Sequence, residues 1–403
     1  MRPLVPYVLA CLLGVFAVTA LVNHRVYAAE AATADGLQIR IGYLGYTPDP
    51  GPLLSNVIGE PQDAGLRGAE LAITDSNSTG RFLRQRYALT AASAETPQAL
   101  LAAAQAQHAD GLRLFVVNAP AQLLTQLAEQ LPDSLLFNAG SADDALRTDT
   151  CLANVLHTLP ERAMLADALL QFLVVRQWKR ALLIVGQRAD DQAYAAALRR
   201  SAKRFGVTIV AEKPWSFDND QRRSAQADMP LFTQAAEYDV VLVADEHGDF
   251  GEYLPYNTWY PRPVAGTQGL VASGWHKTVE TYGAAQLQKR FEALAGRWMN
   301  DRDFAAWIAV RAIASAVTRL GNADAGAIRA LQLSPDLPLD GFKGRKLSFR
   351  PWDGQLRQPI PLVQPRALVS TSPQDGFLHP FSELDSLGFD APESRCRLAE
   401  RTP

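Results

Sequence analysis

The stretch ALLIV at Ala181–Val185 is an unbroken run of apolar side chains. Strands of parallel sheets are covered on both faces and carry such runs, whereas strands with one wet face alternate apolar and polar residues. A helical pattern precedes the run, and its apolar face is formed by Leu165, Ala168, Leu169, Phe172 and Leu173. A second apolar helical stripe, from Tyr194 to Phe205, follows it. This order predicts an α/β sheet with helices on both faces.

The same alternation of strands and helices occurs twice along the chain. Before Cys151 the strand-like runs are Ile39–Tyr43, Tyr87–Ala91, Leu112–Val117 and Leu135–Asn138, and after it they are Ala181–Val185, Val207–Ala211 and Val240–Ala244. The repeat predicts two doubly wound parallel-sheet lobes joined by a hinge, with crossings at Leu152–Pro160 and Val264–Gly269. The expected boundaries are a first lobe at 37–157 to which 270–340 return, a second lobe at 158–269 to which 341–365 return, and a tail at 366–403.

Composition and motifs point to binding and away from catalysis. The 403 residues are 48% apolar, enough for more than one core. A formal net charge of −3 without a basic cluster excludes a nucleic-acid partner. The sequence has no Gly-x-Ser-x-Gly elbow, no phosphate-binding loop, no His-Glu-x-x-His helix and no glycine fingerprint after the first strand. We therefore expect a protein that is not an enzyme and has no cofactor.

The first residues have the pattern of a cleaved export signal. Arg2 supplies the charge, Tyr7–Val22 is apolar, and the small residues of Val26–Ala29 suit a signal peptidase. The apolar run is 16 residues long, whereas roughly 20 are needed to span a bilayer. Cleavage and a periplasmic location are therefore expected, and a retained anchor is the alternative.

Three cysteines are present, and Cys11 lies inside the predicted signal. The two that remain, Cys151 and Cys396, could form one disulfide in an oxidising compartment. Such a bridge would tie the tail to the middle of the chain. Two unpaired thiols are the alternative.

Candidate ligand-binding residues follow from the rule that open α/β sheets bind ligands beyond the carboxyl ends of their strands. In the first lobe the rule selects Asn118 and the run Asn138, Ala139, Gly140 and Ser141. In the second lobe it selects Asp245 and Glu246, and the two predicted crossings add His157, Thr267 and Gln268. Ordinary turn chemistry is the alternative for the Asn, Gly and Ser residues, and a structural role is the alternative for His157.

The segment Asp245–Pro263 combines carboxylates with Tyr253, Tyr256, Trp259 and Tyr260. Carboxylates beside aromatic rings can hold an amine-bearing ligand, and carboxylates together can hold Ca²⁺ or a lanthanide. The segment lacks the spacing of an EF-hand loop. A solvated acidic turn is the remaining interpretation.

The order of elements, the Thr158-Leu159-Pro160 crossing and the predicted strand Val264–Gly269 resemble the branched-chain amino-acid type of periplasmic binding protein. The resemblance implies a type I fold, a small-molecule ligand, an ABC permease partner and a monomer. Tyr194-Ala195 stands where that family has Tyr-Gly, which makes Tyr194 a further candidate ligand residue. Asn118–Pro120 and Asn138–Ser141 stand where the family has Ser and Thr, which argues against an aliphatic amino acid as the ligand.

Several longer segments resemble one subfamily, the substrate-binding protein associated with pyrroloquinoline-quinone-dependent alcohol dehydrogenase systems. They are Phe137–Gly140, Asp245–Glu252, Tyr260–Leu270, Gln355–Pro359 and Ser372–His379. The resemblance implies a periplasmic role beside quinoprotein alcohol oxidation. The polar side chains of the candidate loops indicate a small polar ligand. A carrier of Ca²⁺, a lanthanide or a metal chelate, and a sensory or scaffold protein with a degenerate cleft, are the alternatives.

Overall fold

The computed structural model describes residues 36–49, 51, 59–215 and 222–400. The predicted signal and its cleavage site lie outside these ranges. From Gln38 onward the described residues form one compact unit.

The first lobe is built on a five-stranded sheet in the order β2-β1-β3-β4-β5. Strand β1 pairs with β3, β3 with β4 and β4 with β5, all in parallel, and β3, β4 and β5 are buried along their whole length. The strands are β1 (Leu37–Tyr46), β2 (Gln85–Ala94), β3 (Leu114–Asn118), β4 (Leu135–Asn138) and β5 (Val155–His157). Its helices are α1 (Leu66–Leu83), α2 (Pro97–Ala109), α3 (Ala121–Gln130) and α4 (Ala145–Thr148).

The second lobe is built on a seven-stranded sheet in the order β15-β14-β10-β9-β8-β6-β7. The five neighbouring strands β10, β9, β8, β6 and β7 pair in parallel, while β14 and β15 add an antiparallel edge next to β10. They are β6 (Arg180–Val185), β7 (Thr208–Pro214), β8 (Val240–Ala244), β9 (Val264–Gly266), β10 (Leu270–Ala272), β14 (Ile360–Gln364) and β15 (Ala367–Ser372). The helices are α5 (Arg162–Val175), α6 (Ala189–Phe205) and α7 (Arg222–Phe232). The predicted α/β class with two parallel-sheet lobes is confirmed.

Three more helices follow β10, and they pack on the first lobe. They are α8 (Ala284–Ala295), α9 (Asp301–Leu320) and α10 (Ala325–Gln332); α8 and α9 lie against α1, and α10 lies against α9. A small sheet of β11 (Leu339–Asp340), β12 (Lys346–Phe349) and β13 (Leu356–Arg357) comes next. Among the described residues no single helix is long and apolar enough to cross a membrane; α9 and α10 pass that test only as a pair bent by 102°.

The predicted crossing at Val264–Gly269 is wrong, because β9 and β10 both belong to the second sheet. The chain runs up β9, turns back through 267–269 and runs up β10 beside it. This return is tight: a Cβ on Gly269, whose φ is 73°, would lie 2.2 Å from the carbonyl oxygen of Val264. The chain leaves the second sheet only after Ala272, on its way to α8.

The tail contacts both lobes. A disulfide joins Cys151, beside β5 of the first lobe, to Cys396. Earlier in the tail, the Ser372 hydroxyl donates to the carbonyl oxygen of Ala168 in α5 at 2.7 Å. The 3₁₀ helices at 375–377, 383–386 and 398–400 lie in this segment.

Candidate functional site

Two adjoining cavities lie where the carboxyl ends of the two sheets face each other. They share Leu165 of α5 and Asp301 at the start of α9. The acidic cavity, of 440 Å³, is lined by Tyr194, Asp245, Glu246, Glu252 and Gln268 among others. The tryptophan cavity, of 510 Å³, is lined by Pro160, Trp275, Lys277, Trp298 and Arg302 among others. Together they form the cleft, whose volume suits a small organic ligand.

The structure brings five of the candidate residues together. Tyr194, Asp245, Glu246, Thr267 and Gln268 all line the acidic cavity. Tyr194 lies in the first turns of α6, the two carboxylates follow β8, and the last two residues follow β9. The carboxyl ends of neighbouring parallel strands meet at one edge of a sheet, which is why residues so far apart in sequence converge.

Two of these carboxylates are engaged by the protein itself. Asp245 is buried and accepts hydrogen bonds from the backbone N–H groups of Asp249, Phe250 and Gly251 at 2.6–2.8 Å. It therefore holds the turn after β8 in shape. Glu246 forms a two-pronged ion pair with Arg162, with both N···O distances 2.7 Å. Their negative charge still borders the cavity.

Other polar groups face the acidic cavity without such partners. Tyr194 is 4% exposed, and its hydroxyl makes no hydrogen bond with any described residue. Burial, and then Glu246, raises the pKa of this phenol, so it stays protonated. The Glu252 carboxylate and the Gln268 amide also have no polar partner in the described part of the chain. Buried polar groups are normally paired, so the Tyr194 hydroxyl is available to a ligand. Gln268 is half-buried and Glu252 is exposed, so water solvates these two groups when no ligand is bound.

Asp301 is fixed at the boundary of the two cavities. Its Oδ1 accepts from the Ser273 hydroxyl at 2.6 Å and from the backbone N–H of Trp275 at 2.7 Å. Asn300 caps α9 by accepting from the Asp303 N–H at 2.9 Å, which sets the direction of this helix start. The carboxylate of Asp301 is therefore presented to the cleft by the first lobe.

The tryptophan cavity is more apolar. The Trp275 ring stacks on Phe304 with 4.5 Å between centroids, and Trp298 is 48% exposed. Arg302 pairs with Glu60 at 3.0 Å, which leaves Lys277 as a cation without an ion pair in the described chain. An aromatic or aliphatic body fits this end of the cleft better than a second strongly polar group does.

The first-lobe candidates Asn118 and Asn138 line neither cavity. The buried Asn118 amide donates to the carbonyl oxygen of Ala64 at 2.9 Å, and its Oδ1 accepts from Arg302, a residue of the tryptophan cavity, at 3.4 Å. Asn138 is fully buried; its Nδ2 donates to the Ser141 carbonyl at 2.8 Å and its Oδ1 accepts from the Ser141 N–H at 2.9 Å. These side chains close turns, which is the alternative that the sequence left open.

The other first-lobe candidates, Ala139, Gly140, Ser141 and His157, also pack within or against the turns at the ends of the strands. Ala139 and Ser141 are buried, and a Cβ on Gly140 would lie 2.4 Å from the Ala119 nitrogen, so glycine permits the two strand-end loops to touch. His157 is 1% exposed with its Nδ1 3.0 Å from Asn138 Nδ2, and burial, followed by the charge of Arg147, keeps its pKa well below the usual range. A neutral histidine in a closed network fits the structural interpretation.

Sequence reasoning missed the cleft residues of the C-terminal third. Trp275, Lys277, Asp301 and Arg302 come from the connection after β10 and from the start of α9. The run Asn300-Asp301-Arg302-Asp303 has the pattern of a capped helix start. That pattern locates a helix end but does not tell which strand ends it faces. Trp298, whose spacing from Phe291 and Leu294 predicts a place on a helical core stripe, lies beyond the end of α8 at Ala295.

The cleft gives little support to a metal site. Asp245 accepts three backbone N–H groups, Glu246 pairs with Arg162, and Asp249 pairs with Arg188 at 2.5 Å. Among the described residues there is no group of three or more His, Cys, Asp or Glu that could hold a metal ion.

Comparisons with known proteins add a fold-level likeness. No protein-family model and no curated protein matches the chain. Solved structures do match. One is a branched chain amino acid ABC transporter periplasmic ligand-binding protein from Burkholderia xenovorans LB400, with 17% identity, a TM-score of 0.71 and coverage of 90% of this chain and 100% of that chain.

Two other matches differ in the ligands that they are described with. One is an amino acid ABC transporter substrate-binding protein from Pseudomonas fluorescens Pf-5, at 14% identity and a TM-score of 0.67, covering 87% of this chain and 98% of that one. The other is an R. palustris solute binding protein in complex with benzoate, at 14% identity and a TM-score of 0.58, covering 81% and 92%. At such identities the likeness shows the fold alone. With its two parallel-sheet lobes and the cleft between them, the chain has the type I periplasmic binding protein fold.

Proposed function

We propose that the protein is a monomeric periplasmic solute-binding protein of an ABC transport system, which closes over a small polar ligand in the cleft. The observation that carries the proposal is the acidic cavity, where the polar groups of Tyr194, Glu252 and Gln268 have no hydrogen-bond partner among the described residues. Folds of this kind move as two bodies about their crossings. A closed, loaded form would then be presented to a permease in the inner membrane.

The cleft chemistry favours a ligand with hydrogen-bond donors at one end. Carboxylates outnumber cations around the acidic cavity, and Tyr194 and Gln268 add neutral groups. Trp275 and Trp298 offer an apolar surface at the other end. An amine or polyol with an apolar body satisfies both ends, whereas a simple carboxylate would meet repulsion in the acidic cavity.

We further propose that the protein works beside quinoprotein alcohol oxidation. The support is the resemblance of Asp245–Glu252, Tyr260–Leu270 and Ser372–His379 to the substrate-binding proteins of such systems. The ligand would then be a compound taken up or recovered during periplasmic alcohol oxidation. Deleting the gene should slow growth on a primary alcohol as sole carbon source, and growth on succinate should be unaffected. Equal growth of the two strains on the alcohol would remove this part of the proposal.

A second candidate is a sensory or scaffold protein without transport. It is favoured by one observation: the buried amides of Asn118 and Asn138, the last residues of β3 and β4, are hydrogen-bonded to other residues of the protein and line neither cavity. Such a protein would bind its ligand weakly or not at all. Affinity purification from envelope extracts that recovers a dehydrogenase or a receptor kinase, and no permease, would support it.

A thermal-unfolding panel tests the main proposal. Amines, alcohols, carboxylates, quinone cofactor and metal ions are each added to the mature protein and to Ala142→Trp, a variant that fills the tryptophan cavity. A ligand at about 100 times its Kd should stabilise the wild type by about 2.7 kcal/mol and leave the variant unchanged. No shift with any compound, or equal shifts in both proteins, would contradict cleft binding.

A further inference from the structure

A third cavity lies at the end of the second lobe that is remote from the cleft. It has a volume of 750 Å³ and borders Val264 and Leu270, the first residues of β9 and β10. The cleft, in contrast, borders residues that follow β8 and β9. The wall on one side is the end of α5 and the residues after it, and on the other it is the segment 255–263. We call this cavity the lobe-2 groove.

The charge of the lobe-2 groove is opposite to that of the acidic cavity. Two arginines, Arg176 and Arg262, line it, and no Asp or Glu among the described residues does. This contrasts with a chain that has 42 acidic and 39 basic residues. Arg262 is engaged by the protein, since its Nε donates to the Tyr238 carbonyl at 3.0 Å and its Nη2 pairs with Glu237 Oε1 at 3.5 Å. Arg176 has no ion-pair partner among the residues that the structure describes. Arg176 is exposed, so its guanidinium is free to pair with the anionic group of a ligand that lies in the groove.

The groove also offers flat aromatic surfaces. Trp178 packs edge-on against Phe172, with centroids 6.3 Å apart, and the Arg176 guanidinium lies 5.9 Å from the Trp178 ring centre. Trp259 is 47% exposed, and its backbone N–H is held by the Thr233 hydroxyl at 2.8 Å. The Trp178 ring is therefore held by its neighbours and is half-buried, whereas about half of the Trp259 side chain is open to a ligand.

Tyr256 at the rim of the groove is both strained and fully solvated. Its φ is 69°, a left-handed conformation that aromatic residues rarely adopt, and its side chain is 101% exposed. Strained backbone persists where the surrounding structure enforces it, and such positions cluster at functional sites. Pro255 and Pro261 flank it and stiffen the segment.

We propose that the lobe-2 groove is a second ligand site, separate from the cleft, for a flat aromatic anion such as an aryl carboxylate. The aromatic body stacks against Trp259 and Trp178, and the anionic group pairs with Arg176. Phe172 and Leu270 form the apolar floor. The proposal stands or falls independently of the function assigned to the cleft, because the two cavities share no residue.

The test uses 2-naphthoate as the anionic probe and naphthalene-2-methanol as its neutral match, titrated against the mature protein by calorimetry and tryptophan fluorescence. The wild type should bind the anion in a 1:1 complex and the alcohol at least tenfold more weakly. Arg176→Gln and Trp259→Ala should each weaken 2-naphthoate binding at least tenfold. Arg84→Gln, an exposed arginine of the first lobe, and Ala142→Trp in the cleft should leave it unchanged.

Circular dichroism checks that every variant is folded, and Trp259→Phe replaces the alanine variant if that one is not. The proposal is overturned if the wild type does not bind 2-naphthoate, if the alcohol binds equally well, if Arg176→Gln binds like the wild type, or if Ala142→Trp abolishes binding. The last result would place the probe in the cleft.

Discussion

Tyr194 connects the fold to ligand binding through a single hydroxyl. The ring packs in the core of the second lobe, while the hydroxyl reaches the acidic cavity and has no partner among the described residues. Leaving a polar group unpaired in a buried place costs free energy, which a ligand or water recovers. The ring of Tyr194 therefore contributes to packing, and its hydroxyl is left to contact a ligand.

Replacing Tyr194 by Phe should weaken ligand binding without destabilising the free protein. One lost hydrogen bond is worth about 1 kcal/mol, so Kd should rise roughly five- to tenfold. The Kd of the strongest binder from the thermal panel is measured for wild type, Tyr194→Phe and the control Tyr282→Phe, whose tyrosine is exposed. Equal Kd values in all three would show that the hydroxyl does not contact the ligand.

Lys343 should give the protein a pH-dependent stability. The amine is buried against the Gly274 carbonyl and Gln358 Oε1, and burial lowers its pKa to about 7 in spite of the opposing charge of Asp301. Above that pH the unfolded chain binds a proton that the folded protein does not. The free energy of unfolding should therefore increase as pH rises from about 7 towards about 10.5, by up to about 1.4 kcal/mol per pH unit.

Urea unfolding at several pH values between about 7 and 9 checks this expectation, with Lys343→Met as the reference. The stability difference between wild type and variant should change in favour of the wild type as pH rises. Two parallel pH profiles would mean that Lys343 titrates normally in the folded protein.

At the scale of elements, the return from β9 to β10 positions Thr267 and Gln268 at the acidic cavity. Position 269 requires glycine, because its φ is 73° and a Cβ there would overlap the Val264 carbonyl oxygen at 2.2 Å. Gly296 after α8 has a similar φ of 68°, but a Cβ added to it would have no atom within 4 Å. Comparing alanine variants of the two glycines therefore distinguishes the cost of backbone strain, present at both, from the cost of steric overlap, present only at Gly269.

Gly269→Ala should therefore cost more stability than Gly296→Ala. The left-handed conformation alone costs about 1–2 kcal/mol in each variant, and the overlap should add about 1–3 kcal/mol at position 269 only. Gly269→Ala should also weaken cleft binding, since Gln268 moves with the loop. Equal unfolding free energies in urea for the two variants would contradict the tight return.

Sequence patterns predicted the strands well where burial dictates composition. Ala181–Val185 and Val240–Ala244 are apolar because both faces are covered, and this is visible in the sequence. The run that contains β9 was predicted as a strand but was wrongly taken for a crossing between the lobes, and β10 was missed. Three-residue strands have too little length for a period, and the glycines resemble a linker. Asn138 was selected correctly as a strand end, but whether its amide turns inward depends on packing that sequence alone does not contain.

At the scale of the whole molecule, the tail joins the two lobes. Cys396 is bonded to Cys151 in the first lobe, while Ser372 and Ser386 hydrogen-bond to α5 in the second. The tail therefore spans the region about which the lobes would move. Composition predicted the cysteine pair as a possibility, but only the folded chain brings the two residues together across a separation of 245 residues.

Breaking this disulfide should destabilise the protein strongly. A loop of this length restricts the unfolded chain by up to about 5 kcal/mol in the chain-entropy model. The double variant Cys151→Ser/Cys396→Ser, compared with the wild type by urea unfolding with and without reductant, checks the value. A wild type whose unfolding free energy is insensitive to reductant, while its thiols become titratable, would contradict the expected contribution.

Small-angle X-ray scattering of the mature protein, with and without the strongest binder from the thermal panel, tests most directly whether the two lobes close on a ligand in the cleft. The radius of gyration of the wild type should decrease on saturation, because closure brings the lobes together. The Ala142→Trp variant should scatter identically in both conditions. A wild type that binds the ligand with unchanged scattering, or a variant that becomes compact like the wild type, would contradict ligand-driven closure of the cleft.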